Sequence, residues 1–205
     1  MQPVLETPST DGFALWPVAE RGTYGLMPLG GRLTPEEVGA AVMGVAEYND
    51  VAAGPGRPAD PLGSFVHGLL TAEIPQAPGG MRVVDDSGTV FLPGCCNGLE
   101  EWRDWYRVLD GDGGVSFGHD PDAYAERHGD TVRLTPDTSR NGGPVIEVPV
   151  PVLRRLLAGA ERDLADFLGL VGDWASRLLP GHGAPAVAAV ARAVGMEGWE
   201  APAPR

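Results

Sequence analysis

The sequence has no lysine: all 15 basic residues are arginine. That absence removes the Schiff-base lysine, the phosphate-loop lysine and the lysine general base from the possible mechanisms. Cysteine is almost as scarce, with only Cys95 and Cys96. Neighbouring cysteines close a disulfide only through a strained ring, so no disulfide framework is expected, which fits a reducing cytosol. No long apolar run occurs, and the start MQPVLETPSTDGF has neither a basic nor an apolar leader segment. Neither a membrane span nor a secretion signal is therefore expected, and the expected location is the cytoplasm. Positive charge is also short: 28 acidic residues leave a net charge of −13. Such a surface repels polyanions and forgoes counterion release, which argues against nucleic acid as a partner. The patterns GxGxxG, GxSxG, HExxH and GxxxxGK[ST] are all missing, and no cofactor is expected.

What is present reads as one mixed domain. With 43% hydrophobic and 21% charged residues, the composition is that of a globular chain, and one α+β domain is expected over 13–198. The Pro-containing ends, 1–12 and 199–205, are expected to fray. RLTPEEVGAAVMGVAEY predicts a helix: Thr34 is an N-cap, Pro35 suits the first position and Glu37 completes a capping box. Val38, Ala41, Val42 and Val45 fall on one face. Asp60 caps a second helix that starts at Pro61, and the two are expected to pair. MRVVD and TVFLP, separated by Asp86, Ser87 and Gly88, read as a hairpin. NGLEEWRDWYRVL predicts a helix capped by Asn97, with Leu99, Trp102, Tyr106 and Leu109 on one stripe. VSF, TVRLT and VIEVP are strand-like, for a mostly antiparallel sheet of about five strands. From Pro151 to about Leu179 a 3.6-residue period runs through Leu153, Leu156, Leu157, Ala160, Leu164, Phe167, Leu168, Val171 and Trp174. A short final helix, PAVAAVARAVG, stops at Gly195. This segregated order points to α+β.

The residues that carry chemistry concentrate in LPGCCNGLEEWRDW and GHDPDAYAERHGD. With a helix starting near Gly98, both thiols stand at a helix N-terminus, where the partial positive charge lowers a cysteine pKa. His119 is the matching base and Asp120 or Asp122 the group that orients it, so the catalytic candidates are Cys95, Cys96, His119 and Asp120. The bland alternative is two buried thiols beside a capped turn. Metal binding by Cys95, Cys96 and His119, with His128 or His67, is not expected, because structural zinc prefers ligands two to four residues apart. DGDGG reads as a turn: Val115 stands where a calcium loop needs glycine. Glu100, Glu101, Asp104, Asp110 and Asp112, with Trp102 and Trp105, form the candidate partner-binding stretch. Its bland alternative is a solvated acidic face over core aromatics.

The stretch from FLPGCCNGLEEWRDW through GHDP to LRRLLAGAERDLADFLGLVGDW resembles a group of actinobacterial proteins over roughly half the chain, as the Ala-, Gly- and Pro-rich composition also suggests. The leading helices, central strands, LPG element, GHDP turn and closing helix are similar to the SUKH superfamily. That resemblance implies an α+β fold and an immunity protein that neutralises toxins; the long final helical pair departs from its compact form. The expected function is a non-enzymatic module that binds a basic protein partner such as a toxin. The alternative is a small enzyme or accessory protein of secondary metabolism built on Cys95, Cys96, His119 and Asp120, in a pocket lined by Trp102, Trp105 and Tyr106.

Overall fold

The computed structural model describes residues 1–20, 25–50, 56–111 and 113–199. In chain order the elements are β1 (Gln2–Thr7), β2 (Gly25–Pro28), α1 (Pro35–Tyr48), α2 (Pro61–Thr71), β3 (Gly79–Val84) and β4 (Val90–Phe91). A 3₁₀ turn (Leu99–Glu101) and α3 (Asp104–Asp110) follow, then β5 (Val115–Ser116), β6 (Tyr124–His128), β7 (Thr131–Thr135) and β8 (Ile146–Pro149). The chain closes with α4 (Val150–Leu178) and α5 (Gly183–Ala193). The fold class is α+β, but the strands form two antiparallel four-stranded sheets, ordered β2-β1-β3-β4 and β5-β6-β7-β8, and not one sheet of about five.

The first sheet holds the largest departure from expectation. Residues Gln2–Thr7 do not fray: they form a strand hydrogen-bonded on both sides, to β2 and β3, with Val4 and Leu5 buried. The missing N–H of Pro3 is tolerated because it lies at the start of the strand. There β1 is paired to β3 alone, and Leu29 N–H donates to the Pro3 carbonyl at 2.9 Å. The hairpin of β3 and β4 matches expectation, with Val83 opposite Phe91 and Val84 opposite Val90. Its turn is held by Asp85, whose Oδ1 accepts from the N–H of Ser87 at 2.9 Å and of Thr89 at 2.8 Å.

Local chemistry explains the helices. At α1 the capping box is complete: Glu37 N–H donates to Thr34 Oγ1 and Thr34 N–H to Glu37 Oε2. Asp60 caps α2 by accepting from Gly63 N–H at 2.7 Å. α1 is buried almost all round, from Val38 to Ala46, since it packs against α2, α4 and β1. α4 buries the predicted stripe except Leu156, which is half-buried. Each Leu, Phe or Val on that stripe contributes about 1.5–3 kcal/mol by leaving water. α4 lies against β1 of one sheet and β7 and β8 of the other, so one continuous apolar core reaches from Leu5 and Met27 to Val132 and Val148. Among the described residues, no helix is long and apolar enough to cross a membrane.

The segment after β4 also differs from its predicted form. Asn97 does not cap a helix; its Nδ2 donates to the Gly79 carbonyl at 2.7 Å, and the helical stretch breaks into the 3₁₀ turn and α3. The competing demand is the chain leading into β3: Gly79 N–H donates to the Asn97 carbonyl and Leu99 N–H to that of Ala77, an antiparallel bridge of Pro78 with Gly98 that holds Gly98 extended.

Candidate functional site

Two chain segments that are remote in sequence meet at residues 94–95 and 117–119. Gly94 N–H donates to the Phe117 carbonyl at 2.8 Å, Cys95 N–H to that of His119 at 2.6 Å, and His119 N–H back to Cys95 at 3.1 Å. Glycine is required at this crossing. A Cβ at Gly94 would lie 2.2 Å from the Pro121 carbonyl oxygen, and one at Gly118, where φ is +96°, 2.5 Å from that of Cys95. Buried aromatics anchor both segments from beneath: Trp105 stacks on Phe117 with centroids 4.3 Å apart, and Phe91 meets both rings edge-on.

On this platform the sequence candidates converge. Cys95, Cys96 and His119 place their thiol and imidazole donor atoms within 4.8 Å of one another, all exposed. Asp120 Oδ2 lies 3.5 Å from His119 Nδ1. Cys96 (φ 64°) and Asp120 (φ 51°) are the two non-glycine residues with positive φ among those described. Strained backbone of this kind persists where surrounding structure enforces it and clusters at functional sites. Asp122 is not part of the group, because its carboxylate accepts from the Thr138 hydroxyl. His128 pairs with Glu126 at 3.0 Å, and His67 is half-buried on α2.

The electrostatics differ from expectation. A three-residue 3₁₀ turn replaces the helix expected near Gly98 and supplies no dipole of consequence. The Cys95 thiol is pushed above its ordinary value first by the hydrogen bond and charge of Cys96, whose Sγ is 3.6 Å away, then by partial desolvation and the charge of Glu6. An unassisted thiolate is therefore disfavoured. The aromatics expected to line a pocket there lie elsewhere: Trp102 and Trp105 are 2% and 1% exposed and belong to the core, and Tyr106 packs on Trp102.

The partner-binding candidates separate into four groups. The buried Trp102 and Trp105 present no surface to a partner, contrary to expectation. Asp104 and Asp110 are partly neutralised by Arg107 and Arg154, at 3.5 and 3.8 Å; such exposed pairs contribute about 1 kcal/mol or less. Asp112 lies outside the described residues. Glu100 and Glu101 face an open groove of about 680 Å³ shared with Glu73, Ile74, Pro75, Gln76, Arg103, Arg192, Gly195 and Glu197. Glu73, Ile74, Arg192 and Glu197 had no motif to mark them; only the packing of α2 and α5 brings them there. Ile74 is 74% exposed and Tyr48, beside Glu100 in an adjoining smaller cleft, is 56% exposed. Burial holds the Glu100 carboxyl above its ordinary value, while Ala77 N–H, donating to Oε2 at 3.0 Å, partly offsets this.

No protein-family model, curated protein or solved structure matches this chain.

Proposed function

We propose that the chain is a non-enzymatic binding protein that engages a basic protein partner through the groove bounded by Glu73, Glu100, Glu101 and Glu197. The observation that carries this reading is the groove itself, where four glutamates outnumber Arg103 and Arg192 beside an exposed Ile74. A cationic segment with one apolar side chain would answer the glutamates of that surface and its exposed Ile74. The net charge of −13 extends the attraction beyond the contact, raising the association rate and setting orientation more than adding affinity. The likeness of the LPG and GHDP elements to the SUKH superfamily makes the role immunity-like, with a basic toxin as the partner and the cytoplasm as the place of action.

The test is surface-coupled wild-type chain and a Glu73→Gln/Glu101→Gln/Glu197→Gln variant, exposed to Arg- and Lys-rich toxin domains over a range of salt. Glu100 is left intact because its carboxylate also accepts from the Ala77 N–H, so its replacement would change stability as well as the charge of the groove. The association rate is expected to fall steeply with ionic strength and to drop about tenfold or more in the variant. A complex whose association is indifferent to salt and to the variant counts against the reading.

The convergence of Cys95, Cys96, His119 and Asp120 favours a second reading, a small enzyme or accessory protein of secondary metabolism. Rapid alkylation of either thiol by a maleimide at neutral pH, with the fold intact, supports it. Slow labelling favours the binding module.

A further inference from the structure

Consecutive residues in an extended chain point their side chains to opposite faces, which is why adjacent cysteines make poor chelators. Cys96 departs from that geometry. Its left-handed backbone, φ 64°, turns the chain so that both sulfurs lie on one side, 3.6 Å apart. The third donor comes from across the bridge, where two backbone hydrogen bonds pair Cys95 with His119. Cys95, Cys96 and His119 are the one group of three such donors that converges among the described residues.

We propose that Cys95, Cys96 and His119 form a zinc-binding site with its fourth position open to solvent. The sulfur spacing selects the geometry. With Zn–S bonds of about 2.3 Å, sulfurs 3.6 Å apart subtend an angle of about 103° at the ion, close to tetrahedral. A linear pair of thiolates at that bond length would need sulfurs about 4.6 Å apart, well beyond what is found. The donor set, two thiolates and an imidazole, suits a borderline or soft d¹⁰ ion and not calcium or magnesium. On binding, each thiol releases its proton to solvent, the imidazole binds neutral, and two thiolates balance the dipositive ion. A water completes the tetrahedron.

Other features of the structure serve such a site. All three ligands are exposed, so the ion has a direct entry path. The backbone beneath them is fixed by the Gly94–Gly118 crossing and the Phe91, Trp105 and Phe117 stack, so little ordering is left to the moment of binding. Asp120, at 3.5 Å from His119 Nδ1, is placed to orient the ring, as carboxylates beside zinc-bound histidines do. These residues are distinct from the glutamates of the acidic groove, so the two proposals stand or fall separately.

The test is titration of the full chain, kept reduced with a phosphine, with cobalt(II) as a spectroscopic probe and zinc(II) in competition with a chromophoric chelator. One ion per chain is expected, with thiolate-to-cobalt charge-transfer absorption in the near ultraviolet and visible bands of tetrahedral intensity. Cys95→Ser and Cys96→Ser should each abolish the charge-transfer signature, and His119→Ala should weaken zinc binding about tenfold or more. In the unaltered chain, one equivalent of zinc should slow maleimide alkylation of both thiols, and a chelator should reverse it. The proposal is overturned by absence of the thiolate band at one equivalent, by unchanged affinity in His119→Ala, or by half an ion per chain with dimer formation.

Discussion

Glu100 carries a charge that burial penalises. It is held half out of water with the Ala77 N–H as its donor, and its carboxyl lies above its ordinary value of 4.5 because burial penalises the ionised form. The folded chain therefore binds this proton more tightly than the unfolded chain does. Stability from that preference is present in acid and is lost as pH rises from the unfolded value through the folded one, so at neutral pH the ionised carboxylate weakens the fold. Glutamine keeps an acceptor for Ala77 and removes the charge. Glu100→Gln is expected to melt above the wild type at pH 7, with the difference vanishing as the pH falls below about 4. An equal or lower melting temperature at pH 7 contradicts this account. Asp85 has the opposite sign: the Ser87 hydroxyl and the turn N–H groups hold it below its ordinary value, so its contribution disappears as the solution becomes acidic.

At the residue scale, the thiol and imidazole candidates were legible in the sequence, because Cys95, Cys96, His119 and Asp120 are unusual residues in unusual turns. Their convergence was not, since it depends on a backbone bridge between positions with no sequence relation. The left-handed turn at Cys96 was equally hidden, as a residue other than glycine gives no signal of positive φ. Trp102 and Trp105 illustrate the reverse. Their three-residue spacing is that of one helical face, so their burial was available from the pattern as the alternative to partner contact.

Elements with their own local signals were recovered where predicted. α1 begins where the Thr34-Pro35-Glu37 pattern places it, and both halves of the capping box form. Replacing Thr34 by Ala leaves an N–H at the first turn without its acceptor and is expected to cost about 1 kcal/mol, within 0.5–2. Urea denaturation reads this as a lower midpoint with an unchanged slope. A Thr34→Ser variant, which keeps the hydroxyl, should retain most of the loss; if Ala and Ser behave alike, the cap is not what stabilises the start of α1. β1, β2 and β6 were missed because their evidence is not local. QPVLET has a proline near its start and no alternation, and it is a strand because β2 and β3 flank it. YAERH buries only Ala125 and carries Glu and Arg, yet sits between β5 and β7 with five paired positions on the β7 side. Tertiary pairing decided these elements, as it does wherever intrinsic preference is weak.

The whole molecule is organised around α4. Its stripe faces β1 in the first sheet and β7 and β8 in the second, and it also touches α1, α3 and α5. Trp16 packs edge-on against Trp174 of this helix, centroids 5.3 Å apart, while Trp105 lies in the aromatic stack beneath the thiol crossing. A cavity in the stripe should therefore weaken both sheets at once. Leu164→Ala removes a fully buried side chain and is expected to cost about 2–5 kcal/mol, a fall in melting temperature of roughly 4–20 °C for a chain of this size. The shape of the transition discriminates more than its size. Because the core is continuous, tryptophan fluorescence and far-ultraviolet circular dichroism should report one coincident transition in wild type and variant. Two separated transitions, with the β5–β8 sheet surviving the first, would show that α4 closes one sheet only and that the two sheets are independent folding units.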